Sequence, residues 1–294
     1  MRVLTGPLVA LASLPACAEL VSFPDDPTLA DPGPWDCLAD PAASTPPASA
    51  TIPVRVRTCD SFGDCSVPIE GLSAELCQKL DVGCARPVLS DVTPIDGVFE
   101  LEVPVDELGF DGYLKVSSST ELCTGSEGEL GASLCALAPG CDPTAPDERC
   151  QVPLYAPALF FFSPPIRREP TEPFSLSLMR LAAVPALAQA AGAPFDPESG
   201  SLVVTGLDCR GGRAAGVSYE LRQHPERATP LYMANGILSS SLAETDTTGV
   251  GAFVGVPPGF VDVLGFAGGG DTIGGVGVQV SRLAISYATL APMP

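Results

Sequence analysis

Histidine is nearly absent from this 294-residue chain, which contains only His224, and cations are scarce: 15 Lys and Arg stand against 35 Asp and Glu, a formal charge of -20. One imidazole and no Cys-x-x-Cys pair argue against a zinc site. Scattered cations argue against nucleic acid and anionic lipid as partners, because both need clustered Lys and Arg. His224 lies in the charged run Arg222-Gln223-His224-Pro225-Glu226-Arg227 and reads as a solvated turn residue, so no Ser-His-Asp set can be assembled. Gly216-Val217-Ser218 lacks the closing glycine of a nucleophile elbow. No Gly-Lys-Ser/Thr loop occurs, Gly249 and Gly251 lack the third glycine of a dinucleotide fingerprint, and there is no Asp-x-Asp-x-Asp calcium loop. Carboxylates are plentiful, but no motif selects two of them as a glycosidase requires. The expectation is a protein that is not an enzyme and holds no cofactor and no metal.

Aromatic supply is also thin. Trp35 is the only tryptophan, and Tyr113, Tyr155, Tyr219, Tyr232 and Tyr287 fall mostly at expected strand positions, so a platform for stacking sugars is poorly equipped. An accessory carbohydrate-binding protein or a degenerate hydrolase is therefore the second reading, resting on Tyr219 or Tyr232. Long apolar runs are missing too. Residues 3–15 form a stretch too short to cross about 30 Å of hydrocarbon as a helix. Such a stretch after Arg2, with a small residue before the cut, reads as an export signal over residues 1–16.

What the chain has in quantity is cysteine, glycine and proline: 11, 30 and 32 residues. Setting Cys17 aside leaves ten that can all pair: Cys37, Cys59, Cys65, Cys77, Cys84, Cys123, Cys135, Cys141, Cys150 and Cys209. Cysteines at this density point to oxidised bridges outside the cytoplasm. Short spacings suggest Cys59 with Cys65, Cys77 with Cys84, and a group within 123–150. Nine of the ten precede residue 151, so complete pairing requires a bridge between the halves; a free Cys209 is the competing outcome. Residues 17–50 are rich in Pro, Asp and Ala and read as a semi-extended tether, with Trp35 and Cys37 docking locally onto the first domain.

Beyond the tether the chain repeats an order of features. Val54-Arg55-Val56-Arg57-Thr58-Cys59, Pro68-Ile69-Glu70-Gly71-Leu72, Asp96-Gly97-Val98-Phe99 and Gly112-Tyr113-Leu114-Lys115-Val116 form one arm. Leu202-Val203-Val204-Thr205, Gly216-Val217-Ser218-Tyr219, Thr245 through Phe253 and Val256 through Val263 form the other. Each piece is a short alternating run bounded by turn residues, the pattern of half-buried antiparallel strands. The expected fold is all-β: a Cys-rich antiparallel β-sandwich over 51–165, a linker with one helical segment over 166–198, and a second antiparallel β-sandwich over 199–294, both Ig-like in their two-sheet build. The apolar run at 154–165 reads as a strand buried on both faces, and 175–191 as the helix, with Pro185 kinking it or starting a second turn. Arg210-Gly211-Gly212-Arg213 and Asn235-Gly236 read as turns, and Gly268-Gly269-Gly270-Asp271 as a hairpin.

Leu14-Pro15-Ala16-Cys17 resembles the lipobox of bacterial lipoproteins, with Leu14, Ala16 and Cys17 matching and Pro15 departing from it. That resemblance implies diacylglyceryl transfer to Cys17 and firm membrane anchoring; an ordinary secretory signal cut after Ala16 or Ala18 is the alternative. Ala18 after Cys17 implies the outer membrane. The second arm resembles the carboxypeptidase regulatory-like domain through Gly216, Val217, Thr245, Asp246, Gly249, Phe253, Pro258, Gly259 and Phe260, which implies a transthyretin-like β-sandwich. The first arm is similar to the first domain of two-domain lipoproteins of myxobacteria. Together these resemblances imply a lipid-anchored cell-envelope protein without catalytic residues, partnered by another envelope protein or an extracellular polymer.

Overall fold

The computed structural model describes residue 35 and residues 50–60, 67–124, 149–190, 192, 195–234, 237–268 and 270–292. The export signal with Cys17, all of the tether except Trp35 and residue 50, and Cys37, Cys65, Cys135 and Cys141 lie outside them.

In chain order the strands are β1 (Thr51–Asp60), β2 (Leu72–Gln78), β3 (Leu89–Val92), β4 (Val98–Pro104), β5 (Gly112–Ser118), β6 (Thr120–Thr124), β7 (Arg149–Pro153), β8 (Ala158–Phe161) and β9 (Phe174–Leu178). One short helix, α1 (Val184–Ala190), precedes the second half. There follow β10 (Gly200–Gly206), β11 (Val217–Leu221), β12 (Thr229–Ala234), β13 (Ile237–Ser239), β14 (Val250–Val256), β15 (Gly259–Ala267), β16 (Thr272–Val280) and β17 (Ile285–Leu290). The protein is nearly all β, as the alternating runs require. In β1, Ile52, Val54, Val56 and Thr58 are buried while Thr51, Pro53, Arg55 and Arg57 face water, the two-residue period of a half-buried sheet.

The repeat in the sequence is a repeat of topology. In the first half β1 pairs antiparallel with β4 and parallel with β9. In the second, β10 pairs antiparallel with β14 and parallel with β17. Likewise β5 lies antiparallel between β2 and β8, as β15 lies between β11 and β16. The halves are not merely strung on a linker, because β8 also pairs in parallel with β17, placing Ala158, Leu159 and Phe160 beside Ile285, Ser286 and Tyr287. The result is one nine-stranded sheet in the order β13-β12-β14-β10-β17-β8-β5-β2-β3, flanked by the three-stranded sheets β4-β1-β9 and β11-β15-β16.

Two hydrophobic cores follow from this arrangement. One joins Val54, Phe99 and Leu114 of the first half to Leu231, Ala252 and Tyr287 of the second, and the other joins Val204, Val263 and Val278 to Tyr113 and Cys77. Strand β8 is buried at every position because it serves both: Ala158 and Phe160 enter one core, Leu159 and Phe161 the other. This is the physical basis of the expected strand covered on both faces. Tyr287 reinforces the junction by donating its hydroxyl to the Ser177 carbonyl at 2.7 Å, tying β17 to β9.

The helix expected over 175–191 is a correction. Phe174-Ser175-Leu176-Ser177-Leu178 alternates with period two, buries Leu176 and Leu178, and pairs with β1. Helix begins only after a 3-10 turn at Leu181–Ala183 and runs from Val184 to Ala190. Pro185 stands in its first turn, where a missing N–H costs nothing.

Candidate functional site

Each face of the nine-stranded sheet is covered over part of its width by a three-stranded sheet and elsewhere by a loop segment on one face and by α1 on the other. Past the second core, over β5 and β2, the cover is the segment from Cys77 to Arg86. Cys77 and Cys84 are joined by a disulfide with their Cα atoms 5.4 Å apart, within the span such a bridge requires. Gly83 and Cys84 both take positive φ, +73° and +61°, a conformation that glycine adopts freely and cysteine only under constraint.

Several further contacts fix the segment. The Asp81 carboxylate accepts from the backbone N–H groups of Ala85 and Arg86 at 3.0 and 2.8 Å. Tyr113, stacked on Phe161 at 4.9 Å, donates its hydroxyl to the Asp81 carbonyl at 2.7 Å. Burial, with Asp81 and Glu75 adding negative charge nearby, pushes this phenol up to about 12. Lys115 bridges Glu75 at 2.7 Å and Lys79 pairs with Asp111 at 3.1 Å. A loop over-determined in this way still leaves two aliphatic side chains in water: Leu80 is 78% and Val82 65% exposed. Trp35 packs against this second core, which the second half shares with Cys77, Cys84 and Tyr113, and not against the first half alone.

On the opposite face, past the first core, α1 lies over the outer side of β10, β12 and β14. Between them is an apolar cleft bordered by Val184, Ala188, Phe195, Leu231, Val254 and Leu283. Its free space is about 50 Å³, room for a few waters at roughly 10–15 Å³ each.

Chemistry-bearing residues singled out in the sequence do not converge. His224 is exposed on its turn with φ +54°, and Ser218 sits in β11 as a strand residue. Asp271 lies in the β15–β16 hairpin, where its carbonyl accepts from the Ala267 N–H at 2.9 Å. The Thr-Asp-x-x-Gly motif is turn architecture. Thr245 Oγ1 donates to the Ala214 carbonyl and accepts from the Val217 N–H at 2.8 and 3.1 Å. Asp246 Oδ1 accepts from the Thr248 N–H at 2.9 Å. Gly249 has φ +67°, and a Cβ there would stand 2.6 Å from the Gly206 carbonyl. Arg210 to Arg213 forms the expected turn, with Asp208 Oδ1 accepting from the N–H groups of Arg210 and Gly212, each at 2.8 Å. Asn235-Gly236 lies outside the described residues.

All five tyrosines are buried. Tyr219 and Tyr232 stack at 6.1 Å inside the second half; the Tyr219 hydroxyl donates to the Gly249 carbonyl, and the Tyr232 oxygen accepts from the Tyr219 N–H. Desolvation raises both phenols above their ordinary value. They are core residues and not a stacking platform. Cys59 and Cys209 are disulfide-bonded, so the free Cys209 considered above does not arise. Cys123 and Cys150 are placed by their backbone on β6 and β7. Among the described residues no helix is long and apolar enough to cross a membrane, and no three His, Cys, Asp or Glu side chains are grouped to hold a metal ion. Sequence reasoning missed Leu80 and Val82; the available signal was a pair of aliphatic residues enclosed between two closely spaced cysteines.

No family model matches the chain, and no curated protein matches it in sequence. Among solved structures, the Bacillus anthracis TIE protein overlaps 76% of this chain at 14% identity and a TM-score of 0.22, the chain spanning only 31% of that protein. A family 26 carbohydrate-binding module from Eubacterium rectale Amy13K, solved with maltoheptaose, overlaps 82% of this chain and 93% of its own at 10% identity and a TM-score of 0.23. The shaft pilin SpaA of Lactobacillus rhamnosus GG overlaps 83% of this chain and 98% of its own at 8% identity and a TM-score of 0.24. Similarity at this level carries no functional argument.

Proposed function

We propose that this chain is a lipid-anchored, non-enzymatic protein of the cell envelope, held at the outer membrane through Cys17, whose β lobes dock a protein or polymer partner. The observation that carries the reading is the stapled segment 77–86, whose backbone is tied down by a disulfide, a doubly capping carboxylate, a buried phenol and the Lys79–Asp111 ion pair while Leu80 and Val82 stand in solvent. Rigid exposed apolar residues bind with little ordering cost, which is how hot spots work. The bridges at Cys77–Cys84, Cys59 and Cys209 support an oxidising compartment. The burial of every tyrosine weighs against the sugar-binding alternative.

The two lobes, 51–165 and 199–294, are read as a duplicated carboxypeptidase regulatory-like unit. The structural role of Thr245, Asp246 and Gly249 supports this, since the motif that carries the resemblance builds a turn and supplies no chemistry. The test has two arms. Radiolabelled palmitate is expected in the mature wild-type chain and not in Cys17→Ser; label in neither removes the anchor. Crosslinking in intact cells is expected to join the wild type to a defined envelope partner and to lose that product in Leu80→Ser/Val82→Ser. An unchanged product removes the docking role.

A further inference from the structure

Strands β6 and β7 stand apart from the large sheets as a two-stranded ribbon, an arrangement of marginal stability in water on its own. Its register is Thr120 opposite Pro153, Glu121 opposite Val152, Leu122 opposite Gln151, Cys123 opposite Cys150, and Thr124 opposite Arg149. The register is anchored at the end nearest the core. Val152 is fully buried among first-core residues, the Leu154 N–H donates to the Ser119 carbonyl at 3.0 Å, and Thr120 Oγ1 meets Gln151 Oε1 at 3.3 Å. Slipping the pairing by one residue would move Val152 to the solvent face, so the opposition of the two cysteines is imposed by the core.

Directly opposed residues of an antiparallel pair lie on one face with Cα atoms about 4.5 or 5.5 Å apart, inside the roughly 4.4–6.8 Å that a disulfide bridges. From this juxtaposition we infer that Cys123 and Cys150 form a cross-strand disulfide closing the base of segment 124–149. Bond formation removes one proton and one electron from each thiol. An external dithiol–disulfide oxidase accepts both pairs, its own S–S bond breaking to two thiols. The bridge supplies what a two-stranded ribbon lacks, a covalent tie between strands separated by a long excursion of chain. It also limits pairing elsewhere, leaving Cys135 and Cys141 without Cys123 or Cys150 as partners.

Cleavage after glutamate separates the cysteines concerned. Cys123 falls in a peptide ending at Glu127, Cys135 and Cys141 in one ending at Glu148, and Cys150 in one beginning at Arg149, while Cys77 and Cys84 stay together between Glu75 and Glu100. The digest is run without reductant, after alkylation, on full-length chain in which the 77–84 peptide already carries its internal bridge. The expected product is the Cys123 peptide linked to the Arg149 peptide alone. A link from either one to any other peptide, or alkylation of both cysteines, overturns the assignment. In Cys123→Ser, alkylation at Cys150 is expected to rise from none to one label per chain; an unchanged Cys150 overturns it equally.

Discussion

The two lobes repeat one strand pattern but cover their outer sheet faces differently. The first lobe covers its face with a disulfide-held segment over Tyr113, the second with α1 over Leu231, Val254 and Leu283. A covalent staple fixes a few residues firmly and leaves Leu80 and Val82 outside; a short helix spreads apolar side chains over the sheet and leaves only a small cleft. The same sheet geometry therefore presents a rigid projection at one end and a smooth cover at the other. Under the proposed docking role, that contrast assigns the contact to the first half of the chain.

The most severe way to break both lobes together is alkali. Every tyrosine is buried, and desolvation raises Tyr113 to about 12 and lifts Tyr155, Tyr219, Tyr232 and Tyr287 above the ordinary 10. A raised phenol pKa means that the folded state holds its proton where the unfolded chain releases it. The tyrosines' contribution to stability is then constant below pH 10 and is lost as the pH climbs through 10 to 12 and beyond. Denaturant midpoints measured across that range, followed by phenolate absorbance, are expected to drop steeply, and Tyr113→Phe to reduce the slope.

Next in size is the shared strand. Phe160→Ala is expected to cost about 3–5 kcal/mol, with Leu159→Ala, on the other face, about 2–5 kcal/mol. Because β8 belongs to both cores, each variant should lower a single denaturation transition seen by lobe-specific probes. Two separated transitions would show that the lobes unfold independently.

Smaller effects separate the two covers. Cys77→Ser should remove about 2–3 kcal/mol through the lost closure of a short loop, measured by denaturation with and without reductant, and leave α1 undisturbed. Lys79→Ala deletes an ion pair whose Asp111 partner is half exposed, and is expected to change stability by no more than about 0.5 kcal/mol.

Much of this architecture was legible in short-range pattern. Strands β1, β4, β5, β10 and β11 sit where alternating runs stop at Gly, Pro or Asp, and Cys77 with Cys84 follows from spacing. The region 175–191 misled because leucines and alanines suit a helix, whereas Ser175 and Ser177 set the alternation that pairing with β1 selects; partner strands override propensity. The union of β8 with β17 was invisible, since parallel pairing between segments over a hundred residues apart leaves no local mark. Leu80 and Val82 look like ordinary core residues until the loop geometry turns them outward.

Strand β17 is also the keystone of the widest sheet: it lies between β10 and β8, and all six of its residues are buried. Until β17 settles into that slot, the edges of β10 and β8 stand open to any extended peptide nearby. A chain without β17 therefore loses more than one strand. Its two halves would present unpaired edges across an empty groove.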